Sequence, residues 1–160
     1  MKFEHLIEIN NPGNPVIPIL PLAHLWQGLK LRATAPQLFV PYLDQCDVTE
    51  ISENKVARIS QFGKLTVHDT VTFTPLQHVH YVVPPQGEIP ASSLTMSIEQ
   101  PENGALFVRF IYEDDNSLIT VPEEVMYEDF RKSAYLEADI DTIRVIRELA
   151  LSGRFDTPLI

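Results

Sequence analysis

The chain has 160 residues, 44% of them hydrophobic and 21% charged, so it can bury a core without a disulfide or metal staple, and disorder over most of its length is excluded. Its 12 Lys and Arg stand against 22 Asp and Glu, and the net charge of -10 would repel the phosphates of nucleic acid and of anionic membranes. The lone Cys46 excludes an intramolecular disulfide and any multi-cysteine metal site. No apolar run approaches the roughly 20 residues that span a bilayer. Met1-Lys2-Phe3-Glu4-His5 carries an acid where a signal peptide needs its apolar stretch, so a cytoplasmic address is expected. The length predicts one domain over residues 1–160.

The 13 prolines punctuate the chain, because neither strand nor helix interiors accept them. Phe3 to Ile9 alternates like a strand, with Phe3, His5, Ile7 and Ile9 on one face. Asn10-Asn11-Pro12-Gly13-Asn14-Pro15 breaks it. Pro21 then opens a short helix whose Leu22, Leu25, Trp26 and Leu29 share one face. A second, very short helix is predicted over Pro36–Tyr42. From about Cys46 to Glu113 the pattern is a meander of strands: Val48–Ser52, Lys55–Phe62, Leu65–Thr74, Gln77–Val83, Ser93–Gln100 and Ala105–Tyr112. Short turns between consecutive strands make antiparallel pairing the simplest topology. Ala105–Tyr112 is apolar at nearly every position, which predicts a central strand. Pro122 marks the start of a long helix, about 123–152, on the order of 40 Å in length. Ser133, Glu137, Asp141, Arg144 and Glu148 form its polar side. Tyr135, Leu136, Ala138, Thr142, Ile143, Ile146, Leu149 and Ala150 form the other, which needs a sheet face to cover it.

A straight helix and a twisted, concave sheet match along one line only, so a mostly apolar hollow between them is expected. The element order resembles the helix-grip fold of START domains, the birch pollen allergen group and polyketide cyclases, together the SRPBCC superfamily. Individual segments are similar to its AtaL-like branch. These are Met1-Lys2-Phe3-Glu4-His5 with Ile9-Asn10, Leu25-Trp26-Gln27-Gly28-Leu29 with Leu31-Arg32-Ala33, Gly87-Glu88-Ile89-Pro90 with Ser92-Ser93-Leu94-Thr95-Met96, and Gly104-Ala105-Leu106-Phe107-Val108-Arg109-Phe110. The resemblance implies an α+β helix-grip fold: a curved antiparallel sheet of about seven strands around a long C-terminal helix, with two short helices after strand 1. It also implies a hydrophobic-ligand-binding protein. One departure is plain. The allergen group has a glycine-rich loop between its second and third strands, whereas Ser52-Glu53-Asn54-Lys55 has no glycine.

Function is expected where polar groups interrupt the inward stripes, because burying them without partners costs free energy. Candidates are His5, Asp69, Tyr81, Tyr112, Tyr135, Asp139 and Thr142, with Trp26 as core or pocket lid. In the functional reading they line a pocket: Asp69 or Asp139 orients His5, and Tyr81 and Tyr112 donate hydrogen bonds to a ligand. A His–Asp pair could also move protons in cyclase or dehydratase chemistry. In the structural reading His5 bonds backbone, Asp69 pairs with Arg58 or Arg109, and the tyrosines are core residues. His78 and His80 point outward opposite Val79 and Tyr81, Glu113-Asp114-Asp115 is a solvated loop, and Cys46 bears no mark of reactivity. No phosphate loop, nucleophile elbow or His-Glu-x-x-His motif is present, and no cofactor or metal is expected. Three functions compete. One is binding of a small hydrophobic or aromatic metabolite, and one is a polyketide cyclase/aromatase-like enzyme using the same cavity. The third is an interaction module with a filled core. Neither nucleic acid nor membrane is an expected partner, and the partly exposed apolar strands leave a homodimer open.

Overall fold

The computed structural model describes residues 1–115 and 122–156. Strand β1 (Lys2–Asn10) is followed by helix α1 (Leu22–Thr34) and a single 3-10 turn at Pro36–Leu38. Strands β2 (Gln45–Ser52), β3 (Lys55–Phe62), β4 (Leu65–Thr74), β5 (His78–Val83), β6 (Ser92–Glu99) and β7 (Leu106–Asp114) come next, and helix α2 (Pro122–Leu151) closes the order. All pairings are antiparallel, in one curved seven-stranded sheet ordered β1-β7-β6-β5-β4-β3-β2.

Local chemistry accounts for most of these boundaries. Gly63 turns β3 into β4 with φ +60°, a conformation open to glycine. Pro21 sits at the N-cap of α1 in extended conformation, and Leu25, Gly28, Leu29 and Ala33 form its buried face. The second predicted helix shrinks to one turn because Pro36 and Pro41 leave no room for an α-helical ladder. The largely apolar β7 is not at the middle of the sheet. It lies one place in from the edge, between β6 and β1, and β5 is central. Its apolar run reflects pairing on both sides and contact with α2, not central position. Asn10 ends β1 with a buried side chain that donates to the carbonyl of Leu20 (2.7 Å) and accepts from its N–H (2.9 Å), stapling the proline-rich loop to the sheet.

Two stretches of α2 face the sheet differently. From Ile143 onward, Ile143 and Ile146 enter a core with Ile9, Leu25, Leu29, Val79, Met96, Val108 and Phe110. In the middle of the helix the inward row is Tyr135, Asp139 and Thr142, while Leu136 (42% exposed), Ala138 and Ile140 (51%) face out. The expected assignment of Leu136 and Ala138 to the covered face is therefore corrected. A helix turns by about 100° per residue, so facing Asp139 inward swings Leu136 and Ile140 away. The polar bonds made by Asp139 set the rotation, and the hydrophobic stripe does not.

Helices α1 and α2 meet at Gly28. A Cβ there would lie 2.6 Å from Cγ2 and 2.7 Å from Cγ1 of Ile146. Gly28→Ala should therefore destabilise the fold. Overpacking costs about 1–3 kcal/mol, and the better helix propensity of alanine returns only about 0.5–1 kcal/mol. Combined with Ile146→Ala, the added methyl should cost little further. Urea unfolding of the two single variants and the double variant checks this as a coupling energy.

Candidate functional site

Between the polar middle stretch of α2 and the concave face of the sheet lies a cavity of about 370 Å³. Its wall is built from α1 (Arg32), β3 and β4 (Arg58, Phe62, Asp69), β5 and β6 (Tyr81, Val83, Ser92, Ser93, Leu94), β7 (Tyr112, Glu113, Asp114) and α2 (Tyr135). It adjoins a surface groove through shared residues Val83, Ser92, Ser93, Glu113 and Asp114. The twist that carries β5–β7 away from a straight helix leaves this space, and the tyrosines line it because their hydroxyls find partners there.

Behind the Tyr112 wall stands a connected polar chain. The Tyr112 hydroxyl donates to the Asp139 carboxylate, 2.7 Å from each oxygen, and His5 Nε2 lies 2.7 Å from Asp139 Oδ2. Asp139 is fully buried. Burial pushes its carboxyl above the usual carboxylate range, and the hydrogen bonds from Tyr112 and His5 offset this only in part. Burial, with the neighbouring Asp139 carboxylate second, pushes the Tyr112 phenol well above its ordinary value, so it stays protonated. His5 Nδ1 is buried and has no partner among the described residues. A lone pair can be left so at little expense, an N–H cannot, and the His5 proton therefore belongs on Nε2. Aromatic rings hold the chain in place. His5 stacks on Phe3 and Phe110 (centroids 5.4 Å from each), and Tyr112 stacks on Tyr135 at 3.9 Å with 6° between planes. Arg131 donates to the Tyr135 hydroxyl (3.0 Å) and is ion-paired with Asp114 and with Glu128.

A second cluster lies across the cavity. Arg58 grips Asp69 with both prongs (Nε to Oδ1 2.8 Å, Nη2 to Oδ2 2.6 Å) and donates to the Ala33 carbonyl at the end of α1. Its guanidinium carbon stands 5.1 Å from the Tyr81 ring centroid. Arg32 donates from Nε to Thr142 (3.1 Å) and from Nη1 to the Tyr81 hydroxyl (3.3 Å).

The structure thus sorts the sequence candidates. Asp69, Tyr81, Tyr112 and Tyr135 line the cavity. His5, Asp139 and Thr142 stand one layer back, joined to it through Tyr112 and Arg32. Of the two acids that could orient His5, Asp139 does so, and Asp69 belongs to Arg58. Trp26 packs against the core and does not reach the cavity wall, because the inner face of α1 presents Arg32 there. Arg109 points to the outer face of the sheet, where it bonds Glu99 and Glu4. His80 bonds Thr95 and His78 bonds Thr74 (2.7 and 3.0 Å), and among the described residues no group of three or more His, Cys, Asp or Glu could hold a metal. Glu113-Asp114-Asp115 is not a solvated loop throughout: Glu113 and Asp114 end β7, and the Asp114 side chain is buried against Arg131. Cys46 lies 3.4 Å from the Ser60 hydroxyl. Sequence reasoning missed Arg32 as a site residue. Its signal was position: three residues after Leu29 and seven after Leu25, it continues the buried face of α1.

A seven-stranded antiparallel sheet gripping one long helix, with a polar-walled hollow at one end of the grip, defines a helix-grip protein of the SRPBCC, START and birch-pollen-allergen-like class. The model of one family within it, AtaL, described as acetylaranotin biosynthesis cluster protein L, matches residues 7–153, and the chain belongs to that family. Solved structures share the fold at low identity. The di-domain ARO/CYC BexL from the BE-7585A biosynthetic pathway is 10% identical with a TM-score of 0.64, covering 92% of this chain and 49% of its own. Human STARD10 is 10% identical at a TM-score of 0.63, covering 97% and 66%. Ara h 8.0201 is 14% identical at a TM-score of 0.55, covering 95% and 99%. The chain thus spans about half the length of the di-domain proteins it matches. No curated protein is significantly similar in sequence. Among the described residues no helix is long and apolar enough to cross a membrane.

Proposed function

We propose that the protein binds a small, flat, oxygen-bearing aromatic molecule in the cavity between the sheet and α2. The observation that carries this reading is the tyrosine-lined hollow of about 370 Å³, kept open by a helix face that is polar where it could have been apolar. Tyr81, Tyr112, Tyr135, Phe62 and Leu94 offer aromatic and apolar area, while Ser92, Ser93 and Arg32 offer directional polar groups. The likeness to aromatase/cyclases and to a START protein supports a ligand of this character. Isothermal titration with naphthamide, a neutral bicyclic probe, tests it. Saturable binding is expected, and it should disappear when Leu94→Trp fills the cavity. Absence of binding in the wild-type protein overturns the reading.

The His5–Asp139–Tyr112 chain favours a second reading, a cyclase/dehydratase-type enzyme. Tyr112 can take a proton from a ligand carbon or hydroxyl as its own proton passes to Asp139. The same path can return that proton to a departing hydroxyl, which leaves as water. The proton affinity that burial gives Asp139 suits it to this exchange. Tyr112→Phe keeps the ring stack and removes the relay. Turnover of a short poly-β-ketone thioester should fall by about 10²–10⁴-fold with naphthamide affinity nearly unchanged. Equal turnover in both proteins would leave binding alone.

A further inference from the structure

We propose that Arg32 forms an anion subsite, so that the ligand presents an acidic oxygen group, a carboxylate or an ionised enol or phenol, beside its aromatic surface. The proposal rests on the cavity-binding reading and narrows it to acidic ligands. The other cation in the cavity wall, Arg58, and Arg131 beside Tyr135 are both neutralised. Arg58 is held bidentately by Asp69, and Arg131 pairs with Asp114 and Glu128. Arg32 also lines the cavity, yet among the described residues it forms no ion pair. Its two hydrogen bonds go to neutral hydroxyls.

Those hydroxyls are arranged as acceptors. Thr142 gives its own proton to the Ala138 carbonyl (2.9 Å), so its oxygen receives Arg32 Nε. The Tyr81 oxygen receives Arg32 Nη1, which leaves the Tyr81 proton without an acceptor among the described residues. The remaining guanidinium N–H groups and the Tyr81 O–H are thus held side by side at the cavity wall with no acceptor among the described residues. A guanidinium fork plus a phenol matches a planar oxyanion and is poorly satisfied by a neutral hydrocarbon. Of the carboxylates around the cavity, Asp69 is neutralised by Arg58, Asp114 by Arg131, and Glu113 lies near Lys2 at the surface. Buried Asp139 attracts the Arg32 charge through space, but it turns both oxygens to Tyr112 and His5 and leaves the guanidinium fork open to a ligand. An unpaired cation at a partly buried position is costly unless something of opposite charge arrives to match it.

Naphthoate and naphthamide share one shape and differ in charge, so titrating both separates the subsite from the cavity. Wild-type protein should bind naphthoate at least about tenfold more tightly than naphthamide. Arg32→Met should remove that preference, read as the ratio of the two affinities measured in the variant. Arg32→Lys, which retains the charge without the planar fork, should keep a reduced preference and provides the reading should the methionine variant fail to fold. Equal affinities in the wild-type protein, or a preference untouched by the substitutions, overturn the anion subsite and leave the cavity-binding reading standing. Failure of both probes to bind wild-type protein overturns the two together.

Discussion

Asp69→Ala should destabilise the protein by about 3–5 kcal/mol, a fall in Tm of roughly 6–20 °C for a chain of this size. Asp69 and Arg58 are adjacent across β3 and β4, and their side chains are only 7% and 10% exposed. Truncating the acid leaves a guanidinium in a low-dielectric wall with a single backbone carbonyl, that of Ala33, as its remaining hydrogen-bond acceptor among the described residues. Arg58→Ala should do comparable harm for the mirror reason, and it also detaches the end of α1 from the sheet and strips a cation from the Tyr81 ring. The pair replaced together, Arg58→Met with Asp69→Leu, should recover most of the loss, because no charge is then left buried alone. Urea unfolding of the four proteins decides the matter. A loss below about 1 kcal/mol for Asp69→Ala would mean that the pair behaves as an exposed one.

The second large effect is expected at Asp139, and its sign is opposite to that of a salt-bridged acid. Burial raises the proton affinity of this carboxyl above its unfolded value. Its contribution to stability is therefore fully present below the unfolded pKa and is lost as pH rises through the folded value. Asp139→Asn keeps the size and the acceptor for Tyr112 and cannot ionise. Relative to wild type, the asparagine variant should gain stability as pH rises above the unfolded carboxyl pKa, and the gain should level off once folded Asp139 has ionised. Under the enzymatic reading the same substitution should lower turnover by about 10²–10⁴-fold, because Tyr112 no longer has a base to which its proton can pass. A variant that is more stable at neutral pH and inactive would mark Asp139 as a group kept for function at the expense of stability. Parallel stability–pH curves for the two proteins would mean that Asp139 is not perturbed.

Much of the chain is legible without coordinates, because its signals are local. Period-two alternation marks Phe3–Ile9 and Leu65–Thr74, glycine marks the turn at Gly63, and proline marks the openings of α1 and α2. Each depends on a few adjacent residues and on backbone sterics, so the element order followed, and with it the resemblance to the helix-grip fold. The inward placement of His5, Tyr81 and Tyr112 is local in the same sense, being set by alternation along single strands. The pairing of β1 with β7, which brings Phe3 opposite Tyr112, joins segments roughly a hundred residues apart, and nothing in either stretch announces it. The rotation of α2 was misread at Leu136 for a related reason. Apolar periodicity reports which face would prefer to be covered, but His5 and Tyr112, held in register on adjacent strands, draw Asp139 inward and turn the hydrophobic positions outward. Likewise Arg32 lies on the buried stripe of α1, where a lone arginine reads as a misfit until Thr142 and Tyr81 are seen beneath it. Single-segment geometry belonged to the sequence. The choice of partner for each polar group belonged to the tertiary structure, since a buried charge or hydroxyl is satisfied only by groups that distant parts of the chain carry to it.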